Sequence, residues 1–272
     1  MGNFTEKEKL QLPKGRLARF GIGTDSPTAQ TTIRSFFRGL TDIVYPKECV
    51  SCKNKITNYA VDDLVCFDCW TSIKENTPPF CIRCGRHLDK KNLTKNVCPD
   101  CIRREYHFDR AFSPCTFEGP VKELIHEFKY NGKDYLAKPL SRLLINFIGE
   151  YRVPVEFMDL IVPIPLHEAR LRERQFNQAT ELSQYIAEAF NKCLADDILL
   201  RNRSTKTQAD LKTADRLVNV QGSFSVQENT VIGGKNILLI DDVLTTGATA
   251  SEASCALKKA GANIVFVLTL AN

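Results

Sequence analysis

The sequence predicts an α/β protein in which a parallel sheet flanked by helices follows a small cysteine-rich module. Three observations carry that expectation. Helical and strand patterns alternate through the second half, four CxxC pairs crowd into the first half, and the apolar strand Ile237-Leu238-Leu239-Ile240 runs straight into Asp241 and Asp242. Alternating helices and strands favour a parallel sheet. At 272 residues the chain has room for one large domain and a smaller one.

Composition excludes little else. No apolar run approaches the ~20 residues that a membrane span needs. The formal net charge of +5 is too mild to argue for nucleic acid by itself. The first residues lack an apolar signal core, and Met1-Gly2-Asn3-Phe4-Thr5-Glu6 lacks the Ser or Thr that a myristoylation site wants sixth, so export and lipidation are not expected. Eight of the eleven cysteines fall in CxxC pairs, which favours thiolate ligands in a reducing compartment over disulfides, and a cytoplasmic location.

In chain order, residues 1–32 mix Lys, Glu, Gly, Pro and Thr without sustained periodicity and read as a flexible tail. A helix and the cysteine module are expected over 33–108. Ile33, Phe36, Phe37, Leu40, Ile43 and Val44 fall on one helical face before Pro46. Then Cys49-x-x-Cys52 and Cys66-x-x-Cys69 recur 32 residues later as Cys81-x-x-Cys84 and Cys98-x-x-Cys101, each copy with 13 residues between its pairs. Paired cysteines let one tight turn supply two thiolates to a tetrahedral zinc. Eight such ligands suffice for two closed, structural zinc ions. Consecutive pairing would give two ribbons and interleaved pairing a cross-braced module; the equal spacing favours ribbons. Cys115, Cys193 and Cys255 stand apart and are expected to pack as small apolar groups.

The α/β domain is expected over 109–272. Pro120 to Lys129 opens a helix, Tyr135 to Ile148 continues with Leu136, Leu140, Leu143, Leu144 and Phe147 on one face, and Leu160 to Val162 is a short buried strand. A helix over Asn177 to Phe190 and the strands Ile237 to Ile240 and Ile264 to Leu270 around a further helix complete the pattern.

The run Asp241-Asp242-Val243-Leu244-Thr245-Thr246-Gly247-Ala248-Thr249 carries the chemistry. Two carboxylates at the carboxyl edge of a sheet can accept hydrogen bonds from vicinal hydroxyls such as those of a ribose. The loop after them offers backbone N–H groups, threonine hydroxyls and a helix N-terminus to a phosphate. Gly247 is expected to let the backbone approach closely, while Thr249 caps the helix with Glu252 completing a capping box. This run resembles the phosphoribosyl-diphosphate loop of type I phosphoribosyltransferases. That resemblance implies that Asp241 and Asp242 bind the ribose hydroxyls and that Thr245, Thr246, Gly247, Ala248 and Thr249 hold the 5′-phosphate. It implies that the turn Pro163-Ile164-Pro165 meets the diphosphate, with magnesium sharing its charge. Arg170, Arg172 and Arg174 follow at two-residue steps, so one or two, Arg174 among them, should reach the ligand while the rest face solvent.

The wider pattern resembles the ComF family of competence-associated proteins over roughly residues 35–270. It includes Tyr45-Pro46 before Cys49, the four CxxC pairs, Phe117-Glu118-Gly119-Pro120-Val121, Phe128-Lys129-Tyr130, Val162-Pro163-Ile164-Pro165-Leu166-His167, and Arg172-Glu173-Arg174-Gln175-Phe176-Asn177-Gln178-Ala179. Arg203, Thr207-Gln208, Arg216, Asn219-Val220 and Gly222-Ser223-Phe224 follow. The family usually has Gly where this chain has Gln175, which removes easy access to positive φ. Residues 201–222 occupy the place of a loop that closes over the active site in related transferases, although their composition alone reads as a solvated surface loop. The resemblance implies phosphoribosyl transfer to an unnamed acceptor. The alternative is a non-catalytic accessory protein that uses the site as a sensor and binds a DNA-uptake helicase or single-stranded DNA. For that role Lys53, Lys55, Arg83, Arg86, Lys90, Lys91, Lys95, Arg103 and Arg104 would give the cysteine module a basic surface.

Overall fold

The computed structural model describes residues 47–56, 60–89, 96–203 and 220–272. The expected tail over 1–32, the helix around Ile33 to Val44, and Lys90, Lys91, Lys95, Thr207, Gln208, Arg216 and Asn219 lie outside these residues. The hairpin β1 (Ala60–Val61) and β2 (Val65–Cys66) leads into α1 (Phe67–Thr71), and α2 (Pro99–Arg103) closes the cysteine region. Then come β3 (Arg110–Phe112), α3 (Gly119–Tyr130), α4 (Ala137–Tyr151), β4 (Leu160–Pro163), α5 (Glu168–Arg174), α6 (Gln178–Phe190) and β5 (Cys193–Leu194). The chain finishes with β6 (Leu199–Arg201), β7 (Phe224–Val226), β8 (Asn236–Val243), α7 (Ala248–Lys259) and β9 (Ile264–Ala271).

Five strands form one sheet in the order β3-β9-β8-β4-β5, with every neighbouring pair parallel. Strands buried on both faces read as continuous apolar runs, and β8 shows why. Ile237 and Leu239 pack with Val265, Val267 and the Ala250, Ala253 and Leu257 face of α7. Leu238 and Ile240 pack with Leu268, Leu270 and with Leu140, Leu144, Leu182 and Ile186 of α4 and α6. The strand continues through Asp241 and Asp242 to Val243, so the two acids sit within its last turn of pleat rather than beyond it. The period of two then sends their side chains to opposite faces.

The connections out of the two central strands diverge. β4 proceeds through α6 to β5 on one side, and β8 proceeds through α7 to β9 on the other, with α6 and α7 in opposite core layers. The space beyond the carboxyl ends of β4 and β8 is therefore the switch point at which open α/β sheets bind ligands. β6 and β7 form a separate antiparallel pair, with Arg201 opposite Phe224.

The cysteine region is two copies of one ribbon. Lys53 N–H donates to Cys49 O at 2.8 Å and Gly85 N–H to Cys81 O at 3.0 Å; Cys66 N–H reaches Cys49 Sγ at 3.3 Å and Cys98 N–H reaches Cys81 Sγ at 3.4 Å. Both copies end in a one-turn helix that starts after its third cysteine. Phe80 docks edge-on against Phe147 and Tyr151 of α4, with centroids 5.9 and 5.2 Å away, which ties the ribbons to the sheet's helical layer. Cys115 is buried in the core, but Cys193 is exposed on the short edge strand β5, contrary to its expected packing role.

Candidate functional site

The ligand groups settle into two sets. Cys49, Cys52, Cys66 and Cys69 converge in one and Cys81, Cys84, Cys98 and Cys101 in the other, with all four sulfurs of each set within 4.8 Å of one another. This is the consecutive pairing. Mutual hydrogen bonding and burial make the thiols compete: Cys81 is held low by its hydrogen bonds with Cys101 and Cys84, and Cys101 is pushed up by Cys81 and Cys84. A divalent cation ends that competition by deprotonating all four. Two closed thiolate sets of this kind fit two structural zinc ions.

A cavity of about 300 Å³ opens at the switch point. Asp241, Asp242 and Val243 of β8 line it together with Ile164 and Leu166 after β4 and Arg170 and Arg174 of α5, and Lys129, Arg201, Thr245 and Thr249 complete the polar lining. Asp242 points to the α3 side, where Lys129 Nζ lies 2.7 Å from its Oδ1. Asp241 accepts a hydrogen bond from Asp242 N–H at 2.9 Å. Burial first, and the charge of Asp242 second, push the Asp241 carboxyl up to about 7, against the opposing pull of Lys129 and Arg201. Burial, with Arg170 nearby, lowers Arg201 to about 10. The site therefore brings two carboxylates and several cations into one desolvated space, an arrangement suited to a ligand that carries hydroxyls and phosphates together.

Of the three arginines on α5, Arg174 is 8% exposed, bonds Gln178 Oε1 at 3.1 Å and stacks over Tyr130 at 5.1 Å. Arg170 also lines the cavity, whereas Arg172 is exposed and pairs with Glu168 at 3.6 Å. Ile164 reaches the cavity; Pro163 lies in β4 opposite Ile240, and Pro165 is not part of the lining. A smaller cradle of about 20 Å³ is enclosed by Asp241 and by Val243 through Ala250, including Thr245, Thr246, Gly247, Ala248 and Thr249.

Three local expectations change. Gly247, not Thr249, caps α7, and its φ of +74° is what demands glycine, reinforced by Tyr106, whose ring would lie 2.7 Å from any Cβ there. Thr246 Oγ1 accepts from Ala248 N–H at 3.4 Å, while Glu252 leaves the supposed capping box to accept from Gly222 N–H at 2.7 Å. Gln175 does adopt φ +71°, so the turn after α5 keeps the shape that glycine would give it. The basic face of the ribbons is also depleted. Lys53 pairs with Glu127, Arg103 with Asp100, and Arg86 turns inward to Asp100 and to the carbonyls of Leu244 and Thr245.

Lys129, Arg201 and Tyr130 are cavity residues to which sequence reasoning gave no role. Lys129 and Tyr130 stand in a motif that could have signalled them. Arg201 stood only at the edge of the 201–222 loop segment, and β6, with three residues, shows no period to single it out.

A family model described as a double zinc ribbon domain matches residues 40–102. Competence protein F of Haemophilus influenzae is 28% identical over 226 residues, 82% of this chain and 96% of that protein. The DNA utilization protein YhgH of Escherichia coli K12 is 29% identical over 193 residues, 70% of this chain and 83% of that protein. Among solved structures, a glutamine phosphoribosylpyrophosphate amidotransferase from B. subtilis, complexed with ADP and GMP, gives a TM-score of 0.31 at 20% identity, covering 51% of this chain and 26% of that one. Competence protein ComFC of Bacillus subtilis is 32% identical over 217 residues, 77% of this chain and 84% of that protein, and with its motifs and ribbons in this order the chain belongs to the ComF family of competence proteins.

Proposed function

We propose that this chain binds phosphoribosyl diphosphate together with magnesium in the switch-point cavity and acts as a phosphoribosyltransferase in competence and DNA uptake. The observation that carries the reading is that the cavity lined by Asp241 and Asp242 adjoins the Thr245-to-Thr249 cradle, the two sharing Asp241, Val243, Thr245 and Thr249. In this reading the two carboxylates accept the ribose hydroxyls, and Thr245, Thr246, Gly247, Ala248 and Thr249 take the 5′-phosphate. Of the Pro163-Ile164-Pro165 turn, Ile164 reaches the cavity beside Arg174, and these two face the diphosphate. The names of the relatives, competence and DNA utilization proteins, supply the biological setting.

Magnesium fits as a companion of the diphosphate. The hard oxygen donors in the cavity are chiefly the two aspartates, short of an octahedral set, so the ion would have to bring phosphate oxygens and waters with it. Bound in that way it would neutralise charge on the leaving group. The chain's own part is to hold carbon 1 of the ribose open to a nitrogen nucleophile and to surround the departing diphosphate with Arg170, Arg174 and Lys129. Catalysis of this kind is positioning and charge stabilisation.

Incubation of the zinc-loaded protein with phosphoribosyl diphosphate, magnesium and a panel of nitrogen acceptors tests the transfer. Diphosphate release with at least one acceptor is expected, and none with any acceptor counts against transfer. A DNA-uptake helicase and single-stranded DNA are the partners this setting brings with it; a salt-sensitive mobility shift with single-stranded DNA tests the second.

A further inference from the structure

We propose that the second zinc ribbon holds the phosphate loop in its anion-binding shape, with Arg86 and Tyr106 as the positioning residues. The inference rests on the reading of the Thr245-to-Thr249 cradle as a phosphate site and assigns the ribbon a part in it. Arg86 follows Cys84 in the knuckle of the ribbon. Its Nη1 is held by Asp100 Oδ2 at 3.2 Å, between Cys98 and Cys101, and its Nη2 donates to Thr245 O and, at 3.5 Å, to Leu244 O. Tyr106, just past the ribbon, donates its hydroxyl to Thr246 O at 3.1 Å. Its ring stacks on buried Phe108 at 4.7 Å and fills the side of Gly247 where a Cβ would stand.

The consequence follows from peptide geometry. In a trans peptide the carbonyl and the next N–H point in opposite directions. Turning the carbonyls of Leu244, Thr245 and Thr246 outward to the ribbon therefore turns the N–H groups of Thr245, Thr246 and Gly247 away from it. The small cradle lies among these same residues. Successive N–H groups around one concavity make an anion site, and a guanidinium on the carbonyl side polarises those peptides so that they donate more strongly.

The strut has a firm base. Ala111 N–H in β3 donates to Arg83 O at 2.7 Å, and Gly85 sits so close to the Ala111 backbone that no side chain fits between them. Buried Asn76 donates to Gly85 O at 2.8 Å and to Ser113 O at 2.9 Å, which fixes the knuckle to the sheet edge a second time. His107 N–H donates to Ser251 Oγ at 3.0 Å and so pins the first turn of α7. The first ribbon's ion pairs run elsewhere, from Lys53 to Glu127 and from Asp62 to Arg142. The coupling belongs to the second ribbon.

The test uses full-length, zinc-loaded protein and separates the two ends of the ligand. Ribose 5-phosphate probes the cradle, and magnesium pyrophosphate probes the α5 side. Arg86→Ala and Tyr106→Phe should weaken ribose 5-phosphate about tenfold to a hundredfold while leaving magnesium pyrophosphate unchanged, with Arg86→Lys recovering part of the loss. Asp100→Asn, which loosens Arg86 but spares the cysteines, should act in the same direction with smaller amplitude. In ligand-free protein, amide order parameters at Thr245 to Gly247 should fall toward flexible values in Arg86→Ala. If wild type binds neither probe, the phosphate reading of the site falls, and the order parameters alone then decide whether the ribbon holds the loop. Unchanged order parameters, or equal loss of both probes, overturn the proposal. Tyr106→Phe removes only one oxygen and keeps the test open should Arg86→Ala fail to fold.

Discussion

Lys129 Nζ lies 2.7 Å from Asp242 Oδ1, which brings a cation of α3 against the acidic pair, where burial and the charge of Asp242 raise the Asp241 carboxyl and Lys129 opposes that rise. The ammonium is one of the two cations that oppose the rise of the Asp241 carboxyl. Lys129→Met should move that titration further up by roughly one unit or more. Ligand affinity measured against pH should then show its acid-side midpoint displaced upward. An unmoved midpoint would show that Lys129 and Asp241 are uncoupled.

Asp241 should weigh against stability in the ligand-free protein. Its folded-state value, about 7, lies above the ordinary 3.8, so between those pH values the folded chain keeps a proton that the unfolded chain has released. Stability therefore falls as pH rises from about 4 to 7, and stays at the lower level above. Asp241→Asn removes the loss. At pH 8 the variant should be more stable by at least about 1 kcal/mol, roughly 2 to 4 °C in Tm, and near pH 4 it should match wild type. Equal melting curves at pH 8 would contradict the burial of that charge.

The two zinc ions should leave in sequence. Cys52 is exposed and Cys66 and Cys69 are half-buried, whereas all four cysteines of the second set are buried. A chelator followed by a colorimetric zinc indicator should give two phases, about tenfold or more apart, with Cys52→Ser abolishing the fast one. A single phase releasing both ions together would mean that the ribbons unfold as one unit.

Gln175 holds a left-handed conformation, φ +71°, in which L residues other than Asn and Asp are strained. Gln175→Gly should stabilise the protein by about 0.5 to 1 kcal/mol in a denaturant titration, because relief of strain exceeds the added chain entropy. A destabilised variant would mean that the Gln175 side chain holds the turn by its own contacts.

The sequence was most legible where one local pattern decides the structure. β8 and β9 are long apolar runs because both faces are covered, and α3, α4 and α6 announce themselves by their buried stripes. The acids and the threonine-glycine turn could be placed at a sheet edge for the same reason. Patterns too short to repeat were not legible: β3, β5 and the β6–β7 pair have two or three residues each. The zinc pairing was legible only in part: ribbons and a cross-brace use the same intervals, and only the equal spacing favoured the ribbons that formed. Thr249 and Glu252 matched a capping box, yet the positive φ of Gly247 starts the helix before them. The contact of Arg86 with Thr245 spans 159 residues of chain, and nothing local encodes it.

The most direct test of the site is calorimetry with phosphoribosyl diphosphate on wild type and on the double variant Asp241→Asn, Asp242→Asn, each with its zinc content and thermal unfolding checked. Wild type should bind in a magnesium-dependent manner, and the double variant should show no measurable binding while keeping both zinc ions. Unchanged affinity in the double variant would contradict the assignment of the two carboxylates to the ribose.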